Sequence, residues 1–472
     1  MAMDTSESGT SRLHALLRDQ QQAHRRDPYP AWPERRARLL ALRALITSNE
    51  QAICKAISED FGCRPQEETR LLEVFPSLGG IDHSLHHGRK WMRSRKRFAS
   101  LWFLPARTEL LPQPVGVVGV IVPWNYPLYL AVGPVTDALT AGNRVLVKMS
   151  EYTPRFSELF AALCERHFAA GEVRVVTGDA DVAREFSALP FDHLLFTGST
   201  TVGRHVMRAA AANLTPVTLE LGGKSPAIIG PGARFGHAVE RIVYGKCVNA
   251  GQTCIAPDYV LLPRERESEF IAEAQRVFGR LYPDVATRGQ YASIISDRQH
   301  QRLLAVRDQA VELGAKVHEL APGSSDQERH MPPTLLTRVD LESGLMREEI
   351  FGPLLPLVPY DDIDQALDFV AERPHPLSLY LFETDAAIQR KVLKRNLAGG
   401  VTINDTLYHI AQHHLPFGGV GDSGMGAYHG EAGFRTFSKM KPVFRQARFN
   451  GTGLLNPPYG KRFKRMLKLL LR

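Results

Sequence analysis

The chain has 472 residues, 44% of them hydrophobic, with five cysteines and a formal net charge of +8. That length allows about three folding units with a sizeable core, whereas the scattered Cys54, Cys63, Cys164, Cys247 and Cys254 fit neither a disulfide framework nor a paired Cys-x-x-Cys zinc pattern. Nine Lys or Arg and no Asp or Glu lie from Lys441 to Arg472, so the body is nearly balanced and the basicity marks a tail, not a nucleic-acid-binding patch.

The first ten residues are polar and acidic, without the apolar core of a leader behind them. No apolar run approaches the roughly 20 residues that cross a bilayer. The expectation is a cytoplasmic protein whose thiols are free. Residues 13–22, 32–55 and 67–91 carry apolar side chains at helical spacing. The basic stretch 87–97 reads as a solvated helix end and loop. From Pro114 the texture changes: 115–122 reads as strand, 128–140 as a helix closed by Ala141-Gly142-Asn143, and 145–148 as a short buried strand. A helix over 158–169, strands at 173–176 and 193–196, and a helix reaching Asn213 follow. This alternation argues for a mostly parallel sheet covered by helices. A second α/β stretch runs to about Asn404, with strands predicted at 227–229, 258–262 and 377–382.

Several segments could carry chemistry. In Gly251-Gln252-Thr253-Cys254 a thiol follows small residues in a loop, beside backbone N–H groups able to stabilise a thiolate or an oxyanion. Cys247, among bulkier neighbours, reads as packing. In Leu219-Glu220-Leu221-Gly222-Gly223-Lys224 a carboxylate sits between leucines, where desolvation would raise its pKa towards a general base; pairing with Lys224 is the plainer reading. Gly198 permits a strand-to-helix turn, Ser199 or Thr200 can cap the helix, and with Gly203 this suits a pyrophosphate at a helix N-terminus. The spacing is not the usual dinucleotide fingerprint. Pro123-Trp124-Asn125-Tyr126-Pro127 follows a strand and can present an amide N–H to an oxyanion. No metal-ligand set is read from the sequence.

In this order the segments resemble the aldehyde dehydrogenase superfamily over about residues 30–440. Lys148 with Glu151, Glu349-Ile350-Phe351-Gly352-Pro353 and Pro416-Phe417-Gly418-Gly419 add to the match. Asn125-Tyr126-Pro127, Ala256-Pro257-Asp258-Tyr259-Val260 and residues 421–430 are similar to the class 3 group. Asn404-Asp405-Thr406-Leu407 and Asn456-Pro457-Pro458-Tyr459-Gly460 are similar to its bacterial coniferyl aldehyde dehydrogenases.

The resemblance implies an α/β fold with a Rossmann-type cofactor domain (1–109, 119–217 and part of 405–439) and an α/β catalytic domain (218–404). It further implies a small β hairpin for oligomerisation (110–118 and 440–447), used in a homodimer. It implies that an aldehyde is oxidised to a free acid through a thioester on Cys254, with Asn125 at the oxyanion and Glu220 activating water. Trp124, Lys148, Glu151, Gly198, Ser199, Gly203, Leu221, Glu349 and Phe351 would meet the cofactor. NAD is the first expectation, because a carboxylate at position 151 repels a 2′-phosphate, and NADP stays open. Tyr126 would line the aldehyde tunnel. Tyr408, His409, His413 and His414 are candidates there too, although the histidines read as a surface loop. Two rivals, a non-catalytic nicotinamide-binding member and a cysteine-dependent esterase, leave some of these residues unexplained. Residues 448–472 are a basic tail in which Phe463, Met466, Leu467, Leu470 and Leu471 recur at helical spacing. This helix would pack on the body or across a dimer, or lie peripherally on the inner face of an anionic membrane.

Overall fold

Three sheets organise the chain in a computed structural model that describes residues 5–283, 285, 289–321 and 329–471. In chain order the strands are β1 (Arg95–Arg97), β2 (Arg107–Pro114), β3 (Val117–Ile121), β4 (Arg144–Lys148), β5 (Val173–Val176), β6 (His193–Thr197), β7 (Val217–Glu220) and β8 (Pro226–Ile229). There follow β9 (Tyr259–Pro263), β10 (Lys316–Glu319), β11 (Thr334–Thr337), β12 (Leu354–Tyr360), β13 (Ser378–Phe382), β14 (Gly400–Ile403), β15 (Gly424–Met425) and β16 (Ser438–Arg445).

The first large sheet has the order β15-β7-β6-β3-β4-β5, parallel except for the antiparallel edge strand β15. Every residue of β3, β4 and β6 is buried, so these strands read as near-continuous apolar runs, as both-face burial requires. Helix Tyr129–Ala141 lies behind them and stops at Gly142, whose φ of 96° is the left-handed cap that glycine adopts without a Cβ clash. The second sheet, β10-β11-β12-β9-β8-β13-β14, is again parallel apart from its edge pair β10–β11. The third is the small antiparallel sheet β1-β2-β16.

Three expectations need correcting. Residues 110–118 are not one hairpin strand. They straddle β2, in the small sheet, and β3, in the first large sheet, with the chain turning at Gly116 (φ 141°). The basic stretch 87–97 is not only a helix end and loop. After Trp91 the chain forms β1, whose backbone pairs with β2 so that Lys96 stands opposite Glu109, while Arg95 bonds Glu431. Residues 32–55 are not one helix but Trp32–Thr47 and Glu50–Phe61, since the Asn49 amide turns back to bond the Leu45 carbonyl at 2.8 Å. The tail does form a helix, Lys461–Leu470, yet none of its residues is buried within the chain.

Candidate active site

In the first large sheet the chain steps outward from β3 to β4 and β5, then returns to the other side of β3 for β6 and β7. The carboxyl ends of β3 and β6 therefore flank the point where strand order reverses, the crevice in which open α/β sheets bind ligands. Ile121 pairs with Phe196 on one side and with Lys148 on the other, and Thr197 pairs with Glu220. One sheet edge thus delivers Trp124 and Asn125 after β3, Lys148 at the end of β4, Gly198 and Ser199 after β6, and Glu220 at the end of β7.

Across from that edge lies the loop before β9. Asn249, Ala250 and Gly251 all have positive φ (50°, 51° and 72°), a left-handed turn that ends the helix Phe235–Cys247 and throws Gln252-Thr253-Cys254 forward. The Asn125 amide reaches this loop, donating to the Gln252 carbonyl at 3.2 Å. Tyr126 exchanges a hydrogen bond with Thr253 at 2.7 Å between the hydroxyls. Tyr380 donates to the Ile255 carbonyl from the second sheet. Cys247 is wholly buried and its thiol is pushed far up by desolvation, as packing predicts, whereas Cys254 is partly exposed. The Cys254 thiol is pushed up to about 12, first by desolvation and then by the carboxylates of Glu349 and Glu220; the N–H groups of Cys254 and Ile255 oppose this.

Glu220 is 3% exposed, and neither of its oxygens has a hydrogen-bond partner among the described residues. Desolvation raises its pKa well above the ordinary carboxylate range. It does not pair with Lys224, which bonds Asp258 at 2.5 Å instead. Glu349 is raised to about 8, chiefly by desolvation and then by Asp258, with the Gly223 N–H opposing. Glu220 and Glu349 therefore crowd the thiol, and burial is the first cause that raises all three groups.

The surroundings fit a dinucleotide. Ser199 caps helix Thr200–Ala211, its hydroxyl accepting from Val202 N–H at 3.4 Å. A Cβ on Gly203 would meet Leu221 at 2.6 Å, so glycine is what lets this helix close on the strand. A cleft of about 560 Å³ runs past Thr200, Gly222, Gly223 and Glu349. Buried Thr197 Oγ1 and Glu349 Oε1 lack partners among the described residues, as groups awaiting a ligand would. Lys148 gives two of its three protons to the Met149 and Gly178 carbonyls, each at 2.8 Å, and keeps one. Glu151 stands exposed nearby. Trp124 and Phe351 meet edge to face at 5.3 Å.

A family profile described as "Aldehyde dehydrogenase family" matches residues 3–443. The chain belongs to that family. This aldehyde dehydrogenase is accordingly an enzyme of NAD(P)-dependent aldehyde oxidation. It is 49% identical over 471 residues to a Pseudomonas aeruginosa protein named "Probable coniferyl aldehyde dehydrogenase", covering 100% of this chain and 98% of that one. Its fold is similar to the substrate-bound state of Staphylococcus aureus AldH, with a TM-score of 0.92, 34% identity, and coverage of 97% and 99%. A Mycobacterium tuberculosis aldehyde dehydrogenase complexed with NAD+ superposes with a TM-score of 0.83 at 28% identity, over 94% of this chain and 91% of that one.

Sequence reasoning overlooked a buried charge network behind the dehydrogenase loops. Arg64 pairs with Glu73 and donates to the Asn125 carbonyl at 3.2 Å, and its guanidinium lies 4.8 Å from the Tyr126 ring centre. Glu68 accepts the Asn249 N–H at 2.5 Å. Glu73 accepts from the N–H groups of Leu128 and Tyr129 at 2.8 and 3.1 Å. A π-helical turn over Arg70–Val74 within the helical run 66–91 aims Glu73 inward. Nothing local in the sequence distinguishes these charges from solvated ones. His409 was also misjudged as surface loop: its ring bonds Ser378 and Thr402, both at 2.9 Å.

Proposed function

We propose that this dehydrogenase oxidises an aromatic aldehyde of the coniferyl type, or a medium- to long-chain aliphatic one, to the carboxylate through a thioester on Cys254. The observation that carries the residue assignment is the isolation of Glu220. A buried carboxyl group with no partner, close enough to raise the thiol's pKa, is suited to receive a proton from that thiol or from water. The identity to the named coniferyl aldehyde dehydrogenase supports the aromatic class.

The Cys254 sulfur adds to the carbonyl carbon as its proton passes to the Glu220 carboxylate. The carbonyl oxygen becomes an oxyanion, held by the Asn125 amide and the Cys254 backbone N–H; one such donor is worth about 3 kcal/mol. When bound, the nicotinamide supplies the two-electron acceptor for the hydrogen on that carbon. The residue left on Cys254 is a thioester. Glu220, having released the thiol's proton to solvent, takes a proton from water while the new C–O bond forms and the C–S bond breaks, releasing the acid and the thiolate.

For the cofactor, Lys148 and Glu151 are suited to the adenosine ribose, Ser199 with Gly198 and Gly203 to the pyrophosphate, and Leu221, Glu349 and Phe351 with Trp124 to the nicotinamide side. Glu151 favours NAD over NADP by like-charge repulsion of a 2′-phosphate. Tyr126 borders the aldehyde path. Exposed Phe98, Leu101, Trp102 and Phe444 beside the β1-β2-β16 sheet support a homodimer. The tail helix, with Leu467 and Leu471 exposed, supports a further contact with that partner or with an anionic membrane surface.

The test follows reduced-nicotinamide absorbance for wild type and Cys254→Ala, with NAD and NADP separately. The substrates are aliphatic aldehydes of rising length, benzaldehyde and a cinnamaldehyde type. We expect reduction that vanishes in the variant and is fastest with the cinnamaldehyde type. Undiminished reduction by Cys254→Ala would overturn the nucleophile, and a flat substrate profile the aromatic class.

A further inference from the structure

The fold gathers histidines that the sequence scatters. His83 and His87 stand one turn apart on the helix Phe75–Trp91, and so on one face. His414 comes to them from the loop between β14 and β15, and one ring nitrogen from each lies within 4.8 Å of the other two. Ring centroids are 4.6 Å apart for His83 and His87, 4.4 Å for His83 and His414, and 5.5 Å for His87 and His414. Three imidazoles bound to one tetrahedral ion through metal–nitrogen bonds of about 2.0–2.1 Å have centroids about 5 Å apart. The rings are thus at coordination spacing, and small χ rotations would turn the nitrogens onto a common centre.

We propose that His83, His87 and His414 form a binding site for one zinc-type divalent ion, separate from the catalytic residues.

The donor set fixes the class of ion. Three imidazoles without a carboxylate suit zinc, nickel or copper, whereas magnesium and calcium need oxygen ligands. The backbone also makes room. At Gly430, where φ is +53°, a Cβ would sit 3.2 Å from His83 Nε2. At Gly79 a Cβ would come within 2.7 Å of His413 Nε2, next to the third ligand. His414 belongs to the same loop as Ile410, whose carbonyl accepts from Tyr129 at 3.2 Å. A bound ion would therefore tie this loop to the helix Phe75–Trp91, which directly follows the turn that carries Glu73.

The experiment is a calorimetric titration of zinc chloride into the full-length protein, with thermal unfolding measured in parallel. Cys254→Ala serves as the parent, because a free thiol is itself a zinc ligand. His87→Ala and His414→Ala are compared with His86→Ala, which removes a neighbouring imidazole outside the triad; position 414 is exposed, so that variant keeps its fold. We expect one ion per chain and a melting temperature raised by zinc. Even outer-shell changes at metal sites cost 10–100-fold, so affinity should fall at least roughly a hundredfold in each triad variant. His86→Ala should match the parent. Absence of saturable binding, or full affinity in His87→Ala and His414→Ala, would overturn the site and leave the rings as a stacked cluster.

Discussion

Arg64 and Glu73 form an ion pair at 2.8 Å with both side chains fully buried. The pair joins the start of the helical run 66–91 to the loop bearing Asn125, because Arg64 also holds the Asn125 carbonyl and Glu73 the N–H groups of Leu128 and Tyr129. Removing one member leaves a buried charge uncompensated, which costs about 3–5 kcal/mol. Glu73→Ala is expected to lose stability on that scale in chemical denaturation, and Glu73→Gln, which keeps an acceptor, to lose less. A Glu73→Ala midpoint equal to wild type would show that the network is dispensable.

Asn125→Ala removes the amide proposed to hold the oxyanion while leaving the thiol in place. We expect kcat to fall by about 10²–10³-fold, as for loss of one oxyanion donor. KM for the aldehyde should change far less. A matching rise in KM with kcat intact would instead assign the amide to ground-state binding.

Glu220→Gln should separate the two halves of the reaction. Rapid-mixing absorbance is expected to show one equivalent of reduced nicotinamide, formed more slowly than in wild type because the thiol's proton acceptor is gone, followed by far slower turnover as the thioester persists. The alkaline side of the pH profile carries the same information. Burial raises both Cys254, to about 12, and Glu220, well above its ordinary value, so each gives up its proton at a higher pH than usual. Wild-type rate should therefore climb with pH above neutrality, and Glu220→Gln should flatten part of that climb. An unchanged profile would remove Glu220 from proton transfer.

His193 is held down to about 4 by burial, below its unfolded value of about 6.5. Between those values the unfolded chain binds a proton that the native chain refuses. This residue's share of stability is therefore present above pH 6.5 and lost as pH falls towards 4. His193→Gln should make the melting temperature less dependent on pH across that window. A slope as steep as wild type would show that other groups set it.

A Cβ on Gly222 would run into the Glu349 carboxylate. Gly222→Ala is therefore expected to displace Glu349 and raise KM for NAD roughly tenfold, about 1.4 kcal/mol. Wild-type cofactor kinetics would argue that Glu349 does not meet the nicotinamide side.

The legible parts of this protein were those whose reasons are local. Strands β3 and β4 declare themselves through buried valine-rich runs on either side of Gly142, and the oddity of Glu220 between leucines survives in its oxygens, unpartnered among the described residues. Strand β1 was hidden because Arg95-Lys96-Arg97 has no strand character until Glu109 and its neighbours lie alongside. Arg64 and Glu68 were hidden for a stronger reason. Glu68 meets Asn249 across 181 residues, and no periodicity within one helix reports a partner so distant.

The left-handed turn at Asn249 and Ala250 bears on any effort to harden this enzyme. Each such residue opposes folding by roughly 1–2 kcal/mol, so the segment would be among the first that a thermostability screen relaxes. Replacements that let the preceding helix run on would gain that energy and turn the Gln252 carbonyl, and the proposed nucleophile two residues on, away from the Asn125 amide. At these two positions robustness and turnover pull in opposite directions, and a sturdier variant repaired there should be an inert one.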